Sequence, residues 1–132
     1  MRDAEPQWIE ERVCLTLHDR LLAFHSGASG VRDEGLLQSA LVRAKQLAAY
    51  DDGADIVDMA TAYTAGVVKN HPFLDGSKRT GFVVGILFLE INGFRFAASE
   101  SAAAEAVIAL AAGELDEAGY TAFLRENVTP ER

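Results

Sequence analysis

The apolar positions fall into segments of helical period separated by short polar breaks. Over residues 8–25, Trp8, Ile9, Val13, Leu15, Leu17, Leu21, Leu22 and Phe24 lie mostly on one broad face, which predicts a first helix ended by Gly27 and Gly30. The small residues of 26–33 predict a loop. Asp33 then serves as N-cap of a second helix carrying Leu36, Leu37, Ala40, Leu41, Ala44 and Leu47. A turn at 50–54 leads to a third helix that starts near Asp55 and carries Ile56, Met59, Ala60, Tyr63, Val67 and Val68. It must stop at about Asn70, because Pro72 lacks an amide hydrogen and bars helical angles at the residue before it. Residues 76–92 are apolar around most of the helical circumference, with Phe82, Val83, Ile86, Leu87, Leu89 and Ile91, which predicts a central helix closed by Gly93. Residues 94–96 read as a short extended link. Ser99 caps an alanine-rich fifth helix at 100–111, and 116–126 forms a last helix with Tyr120, Phe123 and Leu124 on one side. The expectation is an all-α fold: a compact bundle of about six helices around the apolar helix at 76–92, in one domain covering 1–132.

Composition narrows the class. A chain of 132 residues, 49% hydrophobic, supports one core and excludes a two-domain enzyme. Twelve Lys and Arg against twenty Asp and Glu give a net charge of -8, which argues against nucleic acid as the main partner, since such proteins displace counterions with a basic surface. One cysteine, Cys14, cannot form an internal disulfide and reads as a small buried hydrophobe, which favours a reducing cytoplasm. The acidic N-terminus, broken by Pro6, predicts no secretory leader, and no apolar run approaches the ~18 residues of a membrane span.

Residues 70–80 stand apart. A histidine, a carboxylate, a glycine, a hydroxyl and two cations crowd the junction where one helix ends and the apolar one begins. The first amides of a helix lack internal acceptors and carry partial positive charge, so Gly76, Ser77, Lys78 and Arg79 would present donors to an anion such as phosphate. Lys78 and Arg79 add cationic donors. Asp75 suits such a place if a cation stands between, and Mg²⁺ favours one or two carboxylates together with phosphate oxygens. His71, in a loop braced by Pro72 and Phe73, is then placed to take a proton from an attacking hydroxyl. A plainer reading stands beside this one: Asp75 as a simple N-cap, Lys78 and Arg79 as solvated charges, His71 bonded to a loop carbonyl. His18 and His25, on the first helix, read as helix-surface or boundary residues rather than ligands. No H-x-x-x-H or C-x-x-C spacing announces zinc.

The string His71-Pro72-Phe73-Leu74-Asp75-Gly76-Ser77-Lys78-Arg79 resembles the signature of the Doc (death on curing) branch of the Fic/Doc superfamily, H-P-F-x-D/N-A/G-N-K-R/K, and departs from it only at Ser77. The flanking helices and the alanine-rich C-terminal region extend the likeness over essentially the whole chain. The resemblance implies an all-helical toxin of a toxin-antitoxin pair that transfers the γ-phosphate of ATP to a threonine hydroxyl of elongation factor Tu, arresting translation. By motif position it makes His71 the general base, Asp75 the Mg²⁺ contact, and Gly76, Ser77, Lys78 and Arg79 the phosphate cradle, with Phe73 anchoring the loop in the core. The AMP-transferring Fic branch carries glycine where this chain has Lys78 and a second arginine where it has Phe82, and both differences favour phosphate transfer. Serine in place of the motif asparagine offers one short hydroxyl where an amide had a longer reach, so a contact to phosphate or to a neighbouring loop is lost or replaced. Beside a tolerated or attenuated variant stand two alternatives: an AMP transferase of Fic type as the enzymatic one, and a silent homologue that keeps only antitoxin binding as the non-enzymatic one.

Fic proteins often carry an inhibitory helix of the form S/T-x-x-x-E-G/N. Ser101 to Ala106 fits it only in part and reads better as the start of the alanine-rich helix. The resemblance therefore implies an inhibitor in trans, an antitoxin whose segment folds on binding, and an acidic surface suits a basic segment. Charge is unevenly placed: residues 67–82 hold Lys69, Lys78 and Arg79 against Asp75 alone, whereas residues 90–132 hold three basic and eight acidic residues. The acidic total conceals a positive helix start suited to one nucleotide.

Overall fold

Short polar side chains set where the helices begin. In the computed structural model, which describes residues 5–25 and 27–131, Asp33, Asp55, Ser99 and Asp116 each accept a backbone N–H at the start of α2 (Glu34–Tyr50), α3 (Ile56–Asn70), α5 (Glu100–Ala112) and α6 (Glu117–Glu126). Asp55 and Asp58 form a reciprocal capping box. With α1 (Glu11–His25) and α4 (Ser77–Ile91), six helices make up the described chain, so the all-α reading holds. The extended link is β1 (Phe94–Phe96), and it pairs antiparallel with β2 (Val128–Pro130), a strand the sequence pattern did not announce. Residues 1–4, on which the expectation about a leader partly rests, and Ser26 in the first loop lie outside the described residues.

Two expectations change. The first helix starts at Glu11, not at Trp8, because the chain before it is tied to α3 and α4 outside any helix: Ile9 N donates to Tyr63 Oη at 2.9 Å, Gln7 exchanges two hydrogen bonds with the side chain of Asn92, which caps α4, and Trp8 stacks on Phe88. Trp8 and Ile9 are thus apolar for the core, not for a helix face. The central helix is α3 rather than α4. Eleven of its fifteen residues are buried, whereas Phe82, Val83, Ile86 and Leu87 on α4 remain half-buried.

Small residues make α3 central, because they let neighbouring backbones approach. A Cβ added at Gly66 would come within 2.8 Å of Ala40 O on α2, and one at Gly81 would come within 3.2 Å of Thr64 O on α3. Side chains at those points would force the helices apart. Across the same contact Thr64 Oγ1 donates to Gly81 O at 2.8 Å, which satisfies a buried hydroxyl. This close seam between α3 and α4 fixes the two ends of the polar junction relative to each other. No described helix is long and apolar enough to cross a membrane.

The core also contains groups that resist ionisation. Burial, helped by the charge of Glu11, pushes the Cys14 thiol up from its ordinary 9.0 to about 12. Burial raises Tyr120 from 10.0 to about 12 as well. Both groups ionise at lower pH in the unfolded chain, so their contribution to stability is complete below about pH 9 and declines as pH rises toward 12. Urea unfolding across that range should show the loss, and Cys14→Ala should flatten its lower part.

Candidate active site at the junction of α3 and α4

The polar junction is built by ending one helix abruptly and starting the next without a cap. His71 closes α3 in the left-handed region, with φ 51° and ψ 57°, and its N–H donates to Val67 O at 3.0 Å. Among the described residues it is the one non-glycine residue at positive φ. That conformation costs ~1–2 kcal/mol, so the surroundings must hold it. They do so from the loop before α2. Arg32 Nε donates to His71 O at 2.8 Å and Arg32 Nη2 to Asn70 O at 2.9 Å, while the amides of Arg32 and Asp33 share Pro72 O. Leu74 N donates to Gly30 O, Val31 forms an antiparallel bridge with Phe73, and Asn70 Nδ2 donates to Leu36 O. Phe73 is fully buried, as the anchoring role requires.

His18 differs from its expected place. It is not a surface or boundary residue but is 2% exposed, its ring stacked on Phe73 and its Nε2 2.7 Å from Asp75 O. The available signal was its position on the face of α1 with Cys14 and Leu22, four residues to either side. His25 is exposed, as expected. Arg32 carried no signal, because a loop arginine gains its role only from the carbonyls that the fold brings to it.

Unlike α2, α3, α5 and α6, helix α4 has no side-chain cap. Its N-cap is Gly76, left-handed at φ 83°, and the first amide to find an internal acceptor is Thr80 N, on Gly76 O at 2.9 Å. The N–H groups of Ser77, Lys78 and Arg79 are therefore left without helical partners. Lys78 and Arg79 are exposed, and among the described residues no ion pair or hydrogen bond engages either cationic side chain. Three backbone donors and two cationic side chains thus lie together without a partner among the described residues.

These residues share one groove of about 590 Å³, lined by His71, Asp75, Gly76, Ser77, Lys78 and Arg79. The rest of its lining comes from α4, β1, α5 and the residues between them: Phe82, Phe96, Ala98, Glu100, Ala103, Ala104, Val107 and Ile108. The size is that of a small-molecule pocket, polar at one end and apolar along the other. The apolar wall was not read from the sequence, since Phe96 and α5 come together with the motif only when β1 folds back along α4. Phe82, where the AMP-transferring branch has a cation, contributes an aromatic face to this wall.

The Ser77 hydroxyl is engaged inside the protein. The residue is 2% exposed and its Oγ accepts Phe73 N at 3.3 Å. The hydroxyl ties the motif loop to the helix it precedes. Asp75 Oδ1 accepts Gly76 N at 2.8 Å, and the absence of a side chain at Gly27 makes room for Oδ2, which a Cβ there would approach to 2.7 Å. No group of three or more His, Cys, Asp or Glu that could hold a metal unaided occurs among the described residues. One carboxylate beside unpaired amides instead fits an ion such as Mg²⁺ whose remaining ligands come from phosphate and water.

The Fic/DOC family model matches residues 8–89, a span that contains α1 to α3, the whole junction and most of α4, and the chain belongs to that family. Its relatives put it in the Doc branch. It is 27% identical over 111 residues to "Protein kinase doc" of Escherichia phage P1, covering 84% of this chain and 87% of the relative. It is 39% identical over 74 residues to "Toxin Doc" of Mycolicibacterium smegmatis, covering 54% of this chain and 56% of that protein.

Replacing Ser77 by Ala leaves the buried Phe73 N–H without an acceptor, which should cost about 1 kcal/mol of stability. Urea unfolding of Ser77→Ala checks this, and the change should be larger than for a control at an exposed serine such as Ser101→Ala.

Proposed function

We propose that this chain is a Doc-type toxin of a toxin-antitoxin pair, acting in the cytoplasm as a kinase that moves the γ-phosphate of ATP to a threonine hydroxyl of elongation factor Tu. The single observation that carries this reading is the uncapped start of α4 lying in one groove with His71. The kinase named among its relatives supports the same class of reaction. Bound here, Mg²⁺ and ATP would supply the phosphoryl group and a cation that neutralises charge on its oxygens.

The chain's own residues do the rest. The amides of Ser77, Lys78 and Arg79 and the two cationic side chains hold phosphate oxygens, Gly76 lets those oxygens approach the backbone, and the positive charge opposes the negative charge that builds there during transfer. Asp75 holds the cation. The His71 imidazole accepts the proton of the acceptor hydroxyl as that oxygen bonds to phosphorus and the bond from phosphorus to the bridging oxygen of ADP breaks. Its αL backbone, clamped by Arg32, keeps the ring at the groove rather than in the helix. Phosphate transfer is preferred to AMP transfer because Phe82 lines the groove where a second cation would be needed. Control falls to a separate antitoxin with a segment that folds on binding.

Intact mass after incubation with ATP, Mg²⁺ and elongation factor Tu tests the proposal. A gain of ~80 Da on the factor supports the kinase, a gain of ~329 Da supports AMP transfer, and no gain supports a silent homologue. His71→Ala should abolish the gain, and an unchanged rate in that variant removes His71 as the base. Ser77→Asn, which restores the motif, separates a silent chain from an attenuated one.

A further inference from the structure

His18 takes no part in the chemistry above, yet it meets the motif loop at three points. Its Nε2 lies 2.7 Å from Asp75 O, and since a carbonyl only accepts, Nε2 carries the hydrogen. Its ring lies 3.8 Å from that of Phe73, centroid to centroid, and 9° from parallel. The same ring stands behind Gly76, where an added Cβ would sit 3.6 Å from its Cδ2 and Nε2, with Leu22 Cδ2 at 3.7 Å. The side chain is 3% exposed, so these contacts are made in a dry, close-packed place. Nδ1 faces only the exposed Asp19 carboxylate, at 4.0 Å.

The carbonyl that His18 holds belongs to the peptide joining Asp75 to Gly76. Fixing that plane fixes the direction of Gly76 N–H, which in turn holds Asp75 Oδ1 at 2.8 Å. It also sets the entry of the chain into α4 and hence the aim of the unpaired amides after it. We infer that His18 is a positioning residue: from α1 it orients the Asp75–Gly76 peptide and so presets both the carboxylate and the anion-binding helix start. This rests on the reading of the groove as a nucleotide site. Packing against Phe73 is a separable contribution, because the ring face stacks while only the ring edge donates.

Two variants separate edge from face in the full chain. His18→Phe keeps the stacking and loses the donor; His18→Gln keeps a donor of similar reach and loses the ring. His18→Phe should weaken binding of Mg²⁺ with a non-hydrolysable ATP analogue, read by calorimetry, by roughly 10- to 100-fold. It should also lower kcat by ~10² with KM for the protein acceptor little changed. His18→Gln should recover most of both. In the ligand-free protein, nitrogen NMR should find the hydrogen on Nε2 of His18, and exchange of the Thr80 and Phe73 amides should quicken in His18→Phe and not in His18→Gln. Equal losses in the two variants, wild-type binding in His18→Phe, or a hydrogen on Nδ1 with Nε2 bare overturns the inference. If the wild-type chain transfers nothing and binds no analogue, the kinase reading fails. The tautomer and amide exchange then still decide the role of His18, and the tautomer, read on the wild-type chain, decides it where a variant does not fold.

Discussion

The site depends on a single constraint: two helices packed too closely to separate are joined by only six residues, 71–76. Gly66 and Gly81 let α3 meet its neighbours backbone to backbone, and Thr64 bonds across the seam. With both ends fixed, the connection must reverse abruptly. It does so with a left-handed histidine at one end and a left-handed glycine at the other. The glycine adopts that angle freely, whereas the histidine does not, and Arg32 with the amides around it supplies the compensation. Strain at His71 and the missing cap at Gly76 are thus two results of one short connection.

The contrast between α4 and the other helices gives that connection its chemical meaning. Where a helix start serves only the fold, this chain places an Asp or Ser to satisfy it, at positions 33, 55, 99 and 116. At α4 it places glycine, turns Asp75 toward Gly76 N, and turns the Ser77 hydroxyl inward to Phe73. Donors left unpaired beside Lys78 and Arg79 are what the proposed phosphate site rests on, in a protein whose net charge is -8. Local backbone geometry, not overall charge, decides what this chain can bind.

Much of this was legible in the residues. The caps at Asp33 and Ser99 and the stop before Pro72 follow from local rules of cap and proline chemistry; for the residues from His71 to Arg79 those rules leave a plainer reading open, the motif resemblance singles them out, and the structure gathers all six candidates into one groove. What was not legible depends on contacts distant in sequence. The non-helical run at Trp8 and Ile9 is set by Tyr63 and Asn92, so its apolar spacing imitated a helix. The enclosure of α3 follows from Ala and Gly, which carry little hydropathy but allow close approach, while the more apolar α4 keeps one flank half-buried. His18 looked like a boundary residue because its partner, the Asp75 carbonyl, belongs to a backbone 57 residues away.

The central claim is that the unsatisfied amides opening α4 are the ligand site. Amide nitrogen and proton shifts, followed while Mg²⁺ and a non-hydrolysable ATP analogue are titrated into the full chain, test it most directly. The account predicts that the largest changes fall on Ser77, Lys78 and Arg79, with the capped starts of α2, α3 and α6 unmoved. Binding that leaves those three amides unchanged, with its shifts concentrated elsewhere, would contradict it.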